Sequence, residues 1–395
     1  MKLLAQHGYG KASKVDHGLD ANDIGGVILS PKAESMEKLI QFSYELGDKH
    51  PTAEVYFDPQ FYICGLQGET VPGKLIGYPY YEPGLTRAKL SSPQNLHMYA
   101  DDAINVQRQL NISSIISPSI VFDDFDGQSS QTAISLAYES ISLTDAENEL
   151  YVTLCIGENA FRNRDSMEDF LNVISLLDVK GFYIIIERNQ STGKPTIIDN
   201  NILTNVMHFL FTLSIINEYD IIVGYSDLLS IPLAGICNAS FASGWYNTLK
   251  SFSISNYRPS TGGRRPRKRY TSGVLMSSLL LFPEVNTLKQ VGLWPNIQSS
   301  SPYNNIIEPN LNEAEWTDEV SCLHNWHVIN SLLTEINGKG DISSRLNYIC
   351  QLIDHGIHVY NSIDEAGIPL DFKSSNGHFT QWLTAIEDFR SQAGI

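Results

Sequence analysis

The chain has 395 residues, 42% hydrophobic and 10% aromatic, enough for a large core in one big domain or two medium ones. Its 27 Lys+Arg against 44 Asp+Glu give a formal net charge of -17, which argues against a general phosphate-backbone binder with a broad positive face. Five scattered cysteines (Cys64, Cys155, Cys237, Cys322, Cys350) and the lack of an apolar run of membrane-spanning length lead us to expect buried thiols, a cytoplasmic location and no membrane contact.

Residues 1–24 are short, polar and Gly-containing, and read as an N-terminal arm. A compact strand follows at 25–31 (GGVILSP), then a helix with Met36, Leu39, Ile40 and Phe42 on its apolar side. The second strand, 53–58 (AEVYFD), ends on Asp58-Pro59-Gln60. Residues 63–91 are rich in Gly, Pro and Tyr and long enough for a functional insertion, and 92–110 has helical periodicity. Residues 113–128 (SSIISPSIVFDDFDGQ) form the third strand, an apolar run of the kind buried on both faces, which runs out into Asp123, Asp124 and Asp126.

The same layout recurs downstream. A helix at 131–143 precedes a strand at 149–157 (ELYVTLCIG), and a helix at 166–179 precedes a strand at 181–187 (GFYIIIE) that ends on Glu187. A long helix at 200–219 leads to a strand at 220–225 (DIIVGY), which closes on Ser226-Asp227. Residues 236–241 form a weaker seventh strand and 270–274 a candidate eighth. About eight alternating units of this length predict an α/β fold, a (β/α)8 TIM-type barrel over 25–309 with a C-terminal helical extension over 310–395.

In parallel barrels, chemistry sits at the C-terminal ends of the strands, where Asp58, Asp124, Asp126, Glu187 and Asp227 fall. Such carboxylates can accept the paired N–H groups of a guanine-like edge, or act as general acid, base or nucleophile at a glycosidic carbon. The plainer alternative is that each caps the following helix. The segment 262–270 (GGRRPRKRY) concentrates Arg264, Arg265, Arg267, Lys268 and Arg269 and could meet a phosphate or an acidic partner. Cys322, His324 and His327, with His355 and His358 further on, supply zinc-type ligands. On one helix Cys322 and His324 point to different sides, so no metal or other cofactor is expected.

The order of these features resembles the tRNA-guanine transglycosylase family, over roughly residues 50–360. Phe57-Asp58-Pro59-Gln60-Phe61 is a partial counterpart of that family's acid/base turn. Phe122-Asp123-Asp124 corresponds to its base-binding Phe-Asp, and Ile186-Glu187 to its Gly-Glu strand end. Cys322-x-His324-x-x-His327 keeps only the spacing of the family's zinc site. The stretch corresponding to the family's nucleophilic Asp, GICNASFASGWYNTLKSF, contains no acid, so the usual covalent sugar intermediate has no evident donor.

The resemblance implies a nucleobase pocket for a guanine or 7-deazaguanine group, with Asp58 and Asp124 as catalytic candidates. Gln60, Asp126, Glu187, Asp227 and Arg258 are ligand-binding candidates, and Tyr225 or Trp245 would stack on the base. It is similar, further, to transglycosylase-like accessory proteins of type IV CBASS anti-phage operons, which implies a nucleotidyltransferase-type protein partner. The alternatives are an active glycosidase or base-exchange enzyme using a carboxylate pair such as Asp124 and Glu187, and a non-catalytic interaction subunit.

Overall fold

Short β-branched strands that end in polar residues alternate with helices. In the computed structural model, which describes residues 1–188, 194–259 and 267–395, they form a nearly closed parallel barrel. The strands are β1 (Lys2–Gln6), β2 (Gly26–Leu29), β3 (Glu54–Phe57), β4 (Ile115–Ile116), β5 (Val121–Phe122), β6 (Leu150–Gly157), β7 (Gly181–Glu187), β8 (Asp220–Gly224) and β9 (Ala239–Ser243). The ladder runs β3-β2-β1-β9-β8-β7-β6-β4, every pairing is parallel, and β5 also pairs with β6.

The stretch 113–128 therefore supplies one staved position in two pieces. Pro118 has no N–H to give to a ladder. Ser117 bridges the break instead: its hydroxyl oxygen accepts the Thr153 N–H at 2.9 Å, and its carbonyl accepts the Thr153 hydroxyl at 2.6 Å. The remaining seam, between β3 and β4, is closed by the Ser113 N–H donating to the Val55 carbonyl at 2.7 Å.

Seven helices follow the strands in turn: α1 (Lys14–Asp20), α2 (Met36–Lys49), α3 (Pro93–Gln107), α4 (Gln128–Leu143), α5 (Arg164–Ile174), α6 (Asn200–Phe211) and α7 (Ser230–Ala234). Local sequence starts several of them. Pro93 opens α3, where its missing N–H costs nothing. Asp199 accepts the Asn201 N–H at 3.0 Å to cap α6. Three long helices, α8 (Asp318–Asn337), α9 (Ile342–Glu365) and α10 (Gly377–Ala393), make up most of the C-terminal segment.

Two sequence expectations change here. Residues 2–6, expected in an arm, are the central barrel strand β1, hydrogen-bonded to β2 on one side and β9 on the other. Residues 270–274, expected as the eighth strand, lie outside the barrel: β10 (Arg269–Ser272) turns back antiparallel onto β11 (Ser277–Leu280). KLLAQ is only five residues long, and its burial comes from these two neighbouring strands rather than from a local pattern.

The C-terminal segment also does more than extend the barrel. Helix α8 packs on β1, α1 and α7, the slot an eighth barrel helix would fill. Its fully buried Trp326 donates from Nε1 to the Ser243 carbonyl at the end of β9, at 2.9 Å. All five cysteines are free thiols, four of them buried. Among the described residues no helix is long and apolar enough to cross a membrane.

Candidate binding site at the barrel mouth

Asp58 follows β3 directly and is 0% exposed. Its Oδ1 accepts the Gln60 N–H at 2.9 Å, while Oδ2 accepts the Tyr62 hydroxyl at 2.8 Å and the Tyr183 hydroxyl at 3.2 Å. Burial disfavours the ionised form and outweighs these three donors, so the carboxyl is pushed up from 3.8 to about 6. The phenols of Tyr62 and Tyr183 move up as well, through burial first and the neighbouring Asp58 charge second.

Gln60 extends the cluster across the mouth. Its Oε1 accepts the Ser30 hydroxyl and the Lys32 N–H, each at 3.1 Å. Its Nε2 faces the hydroxyls of Tyr225 at 3.4 Å and Tyr257 at 3.5 Å. Phe252 seals the other side, with ring centroids 5.0 Å from Tyr62 and 5.3 Å from Tyr225. Lys32 lies over the Tyr257 ring at 4.0 Å and donates to the Asn256 carbonyl at 2.8 Å, and burial lowers its ammonium to about 8. Gln6, at the end of β1, is also 0% exposed. Its amide lies against the Tyr183 hydroxyl.

The backbone is strained where these side chains converge. Gln60 and Tyr225 both have φ 52°, and Asp227 has φ 41°, the left-handed region that side-chain-bearing residues avoid. Strain of this kind persists only where surrounding contacts hold it, and it collects at functional sites.

The other expected residues are distributed as follows. Glu187 is half-buried; its Oε1 accepts the Ser253 hydroxyl and the Ile254 N–H, each at 3.4 Å, and burial with help from Asp123 and Glu158 raises its carboxyl. Buried Cys155 on β6 feels Asp58, Glu187 and Asp123 together, which places those three acids around the same strand end. Asp124 and Asp126 are exposed, and no hydrogen bond or ion pair among the described residues joins them to Asp58 or Glu187. The Asp124 carboxylate lies instead over Gly127 at the start of α4, 1.8 Å from where a Cβ would stand. Asp58 is sealed and Asp124 exposed, so the two acids stand in different surroundings.

Asp227 is buried and turned toward α8, its Oδ1 accepting from Ser243 Oγ at 2.5 Å and Asn325 Nδ2 at 3.0 Å. Trp245 donates to the Tyr9 carbonyl at 2.7 Å and packs edge-on to His7 and Trp326, so its ring is occupied by protein. Arg258 binds the Gln67 and Glu69 carbonyls of the 63–91 segment. Of the basic loop, Arg264 and Arg265 lie outside the described residues, while Lys268 bonds the Glu313 carbonyl at 2.5 Å and Arg269 bonds Asp371 at 2.7 Å.

Among the described residues no three His, Cys, Asp or Glu side chains converge as a metal site. His324 uses both ring nitrogens, on Ser301 Oγ and the Thr271 carbonyl, each at 2.9 Å, and His327 bonds Asp23 at 2.8 Å. Their helix spacing points them to different neighbours.

Sequence reasoning missed Tyr62, Tyr183, Tyr257 and Lys32. Tyr183 carried a signal: it is the one hydroxyl in the strand GFYIIIE, where an apolar residue would pack as well. No protein-family model matches the chain, and none of the curated proteins is similar to it.

Proposed function

We propose that this barrel binds a small planar base of the guanine or 7-deazaguanine type at the Asp58–Gln60–tyrosine cluster. The observation that carries the reading is a wholly buried carboxylate at a barrel-strand end, set among four tyrosine hydroxyls. With three donors already on it, an ionised Asp58 keeps one acceptor position on Oδ1 for an N–H of a base edge, Gln60 offers an amide beside it, and aromatic rings supply the faces. Asp58 is fully covered, so on this reading a ligand reaches it only when that cover opens.

Calorimetry with guanine and 7-deazaguanine derivatives tests the reading: heat of binding is expected from the wild type and not from Asp58→Asn. No heat from any of them, with a folded sample, removes it. Since the site must ionise to accept N–H groups, affinity should rise as pH is taken from 5 to 7, through the Asp58 value of about 6.

The same value favours proton transfer near neutral pH, which supports exchange chemistry as a second reading. Incorporation of labelled guanine into nucleoside or nucleic acid, lost in Asp58→Asn, is its check. The buried free thiols accord with a cytoplasmic location. A role beside a nucleotidyltransferase in anti-phage defence rests on the sequence resemblance alone, and co-purification of the two proteins is its test.

A further inference from the structure

Next to the Asp58 cluster, on the far side of Tyr225, a narrow cleft opens to solvent between the ends of β7 and β8. Its walls are Ile186, Val223 and Leu229 on the apolar side, and Arg188, Lys250 and Ser251 on the polar side. Two cations facing one cleft are notable in a chain of net charge -17.

Each cation is held in place. Arg188 is only 7% exposed and donates from Nε to Glu158 Oε2 at 2.7 Å, from Nη1 to the Pro195 carbonyl at 2.9 Å and from Nη2 to the Ile197 carbonyl at 2.8 Å. A guanidinium has five N–H groups, and bonds to the described residues engage three of them. Lys250, with its side chain 17% exposed, stands 3.7 Å from Asp227 Oδ1, too far for a hydrogen bond. That oxygen already accepts from Ser243 and Asn325, at 2.5 and 3.0 Å. Asp227 therefore offsets the burial of the ammonium charge while leaving its three N–H donors unused among the described residues. The Ser251 hydroxyl likewise bonds no described residue.

We propose that this cleft is an oxyanion subsite, in which Lys250, Arg188 and Ser251 hold a phosphate-type group carried by a small molecule. Counted from β1, the loops that build it follow the sixth, seventh and eighth barrel positions. Phosphate groups in (β/α)8 barrels commonly dock on the loops after the seventh and eighth strands. The acidity of the chain, with net charge -17, fits a single small ester rather than a polynucleotide. The proposal does not depend on what Asp58 binds, although Tyr225 borders both sites.

The probe is inorganic phosphate, titrated against chloride at equal ionic strength and followed by amide chemical shifts of the isotope-labelled full-length chain. Saturable shifts centred on Gly224, Ser226 and Ser251 are expected from phosphate and not from chloride. Lys250→Met should weaken phosphate binding by at least about tenfold, Lys250→Arg should retain it, and Lys74→Met, an exposed control, should leave it unchanged. Identical responses to phosphate and chloride, shifts centred elsewhere, or phosphate binding by a folded Lys250→Met equal to wild type would each overturn the proposal. The shift map uses the wild type alone, so the test holds even if a variant fails to fold.

Discussion

Two groups of acids lie at strand ends of this barrel, and the fold treats them in opposite ways. Asp58 is sealed inside, with every oxygen engaged by a phenol or a backbone N–H. Asp123, Asp124 and Asp126, from the more conspicuous stretch of sequence, are exposed to water. A carboxylate in water is solvated whichever way it points, whereas one inside must be answered atom by atom. Burial raises the proton affinity of Asp58, and that makes it the stronger functional candidate.

The largest effect that would break this contrast is in the pH dependence of stability. The folded value for Asp58 lies above its ordinary 3.8, at about 6. Its contribution is therefore fully present below about 3.8 and lost as pH rises through about 6. Relative to Asp58→Asn, the wild type should lose on the order of 3 kcal/mol across that window, measured by urea unfolding at a series of pH values. Asp124→Asn leaves Asp58 in place and should retain that loss, and a variant in which it vanished would undo the comparison.

Next in size is a pair of glycine substitutions. A Cβ at Gly224 would stand 2.8 Å from the Tyr183 hydroxyl and ring, and Tyr183 is anchored on Asp58. Gly224→Ala should cost about 1–3 kcal/mol. At Gly127 the clash is with Asp124, at 1.8 Å, but an exposed carboxylate can swing into water. Gly127→Ala should stay within about 0.5 kcal/mol despite the shorter distance. Thermal unfolding of the two variants decides whether anchoring or distance governs the cost.

Smaller again is Tyr183→Phe, which removes one of three donors to Asp58 and should cost about 1 kcal/mol in chemical denaturation. Since that donor favours the ionised carboxyl, its loss should also move the Asp58 titration, followed by carboxyl NMR, further upward. Smallest is Asp126→Ala, expected to change stability by less than about 0.5 kcal/mol and to leave base binding untouched. A larger loss would mean that the exposed run contacts the ligand.

Most of the barrel was legible because its strands are buried on both faces, and that demand writes long apolar runs such as LYVTLCIG and GFYIIIE into the chain. Asp58 and Glu187 could be picked out for the same reason, as acids just where such runs end. Strand β1 was not legible, since its identity comes from pairing with β9 in the register Lys2 to Ser240, 238 positions away, and no local pattern encodes a partner. The slot taken by α8 was hidden too: Trp326 and Asn325 read as ordinary helix residues until they meet Ser243 and Asp227.

By itself, then, the sequence determined where strands and helices form and which acids stand at strand ends, because periodicity and burial act over a few residues at a time. Only the tertiary structure decided which of those acids is enclosed, which tyrosines answer it, and that Lys250 and Arg188 share a cleft. Those outcomes depend on how loops from different strands close over the barrel, and closure is a property of distances between residues that are remote along the chain.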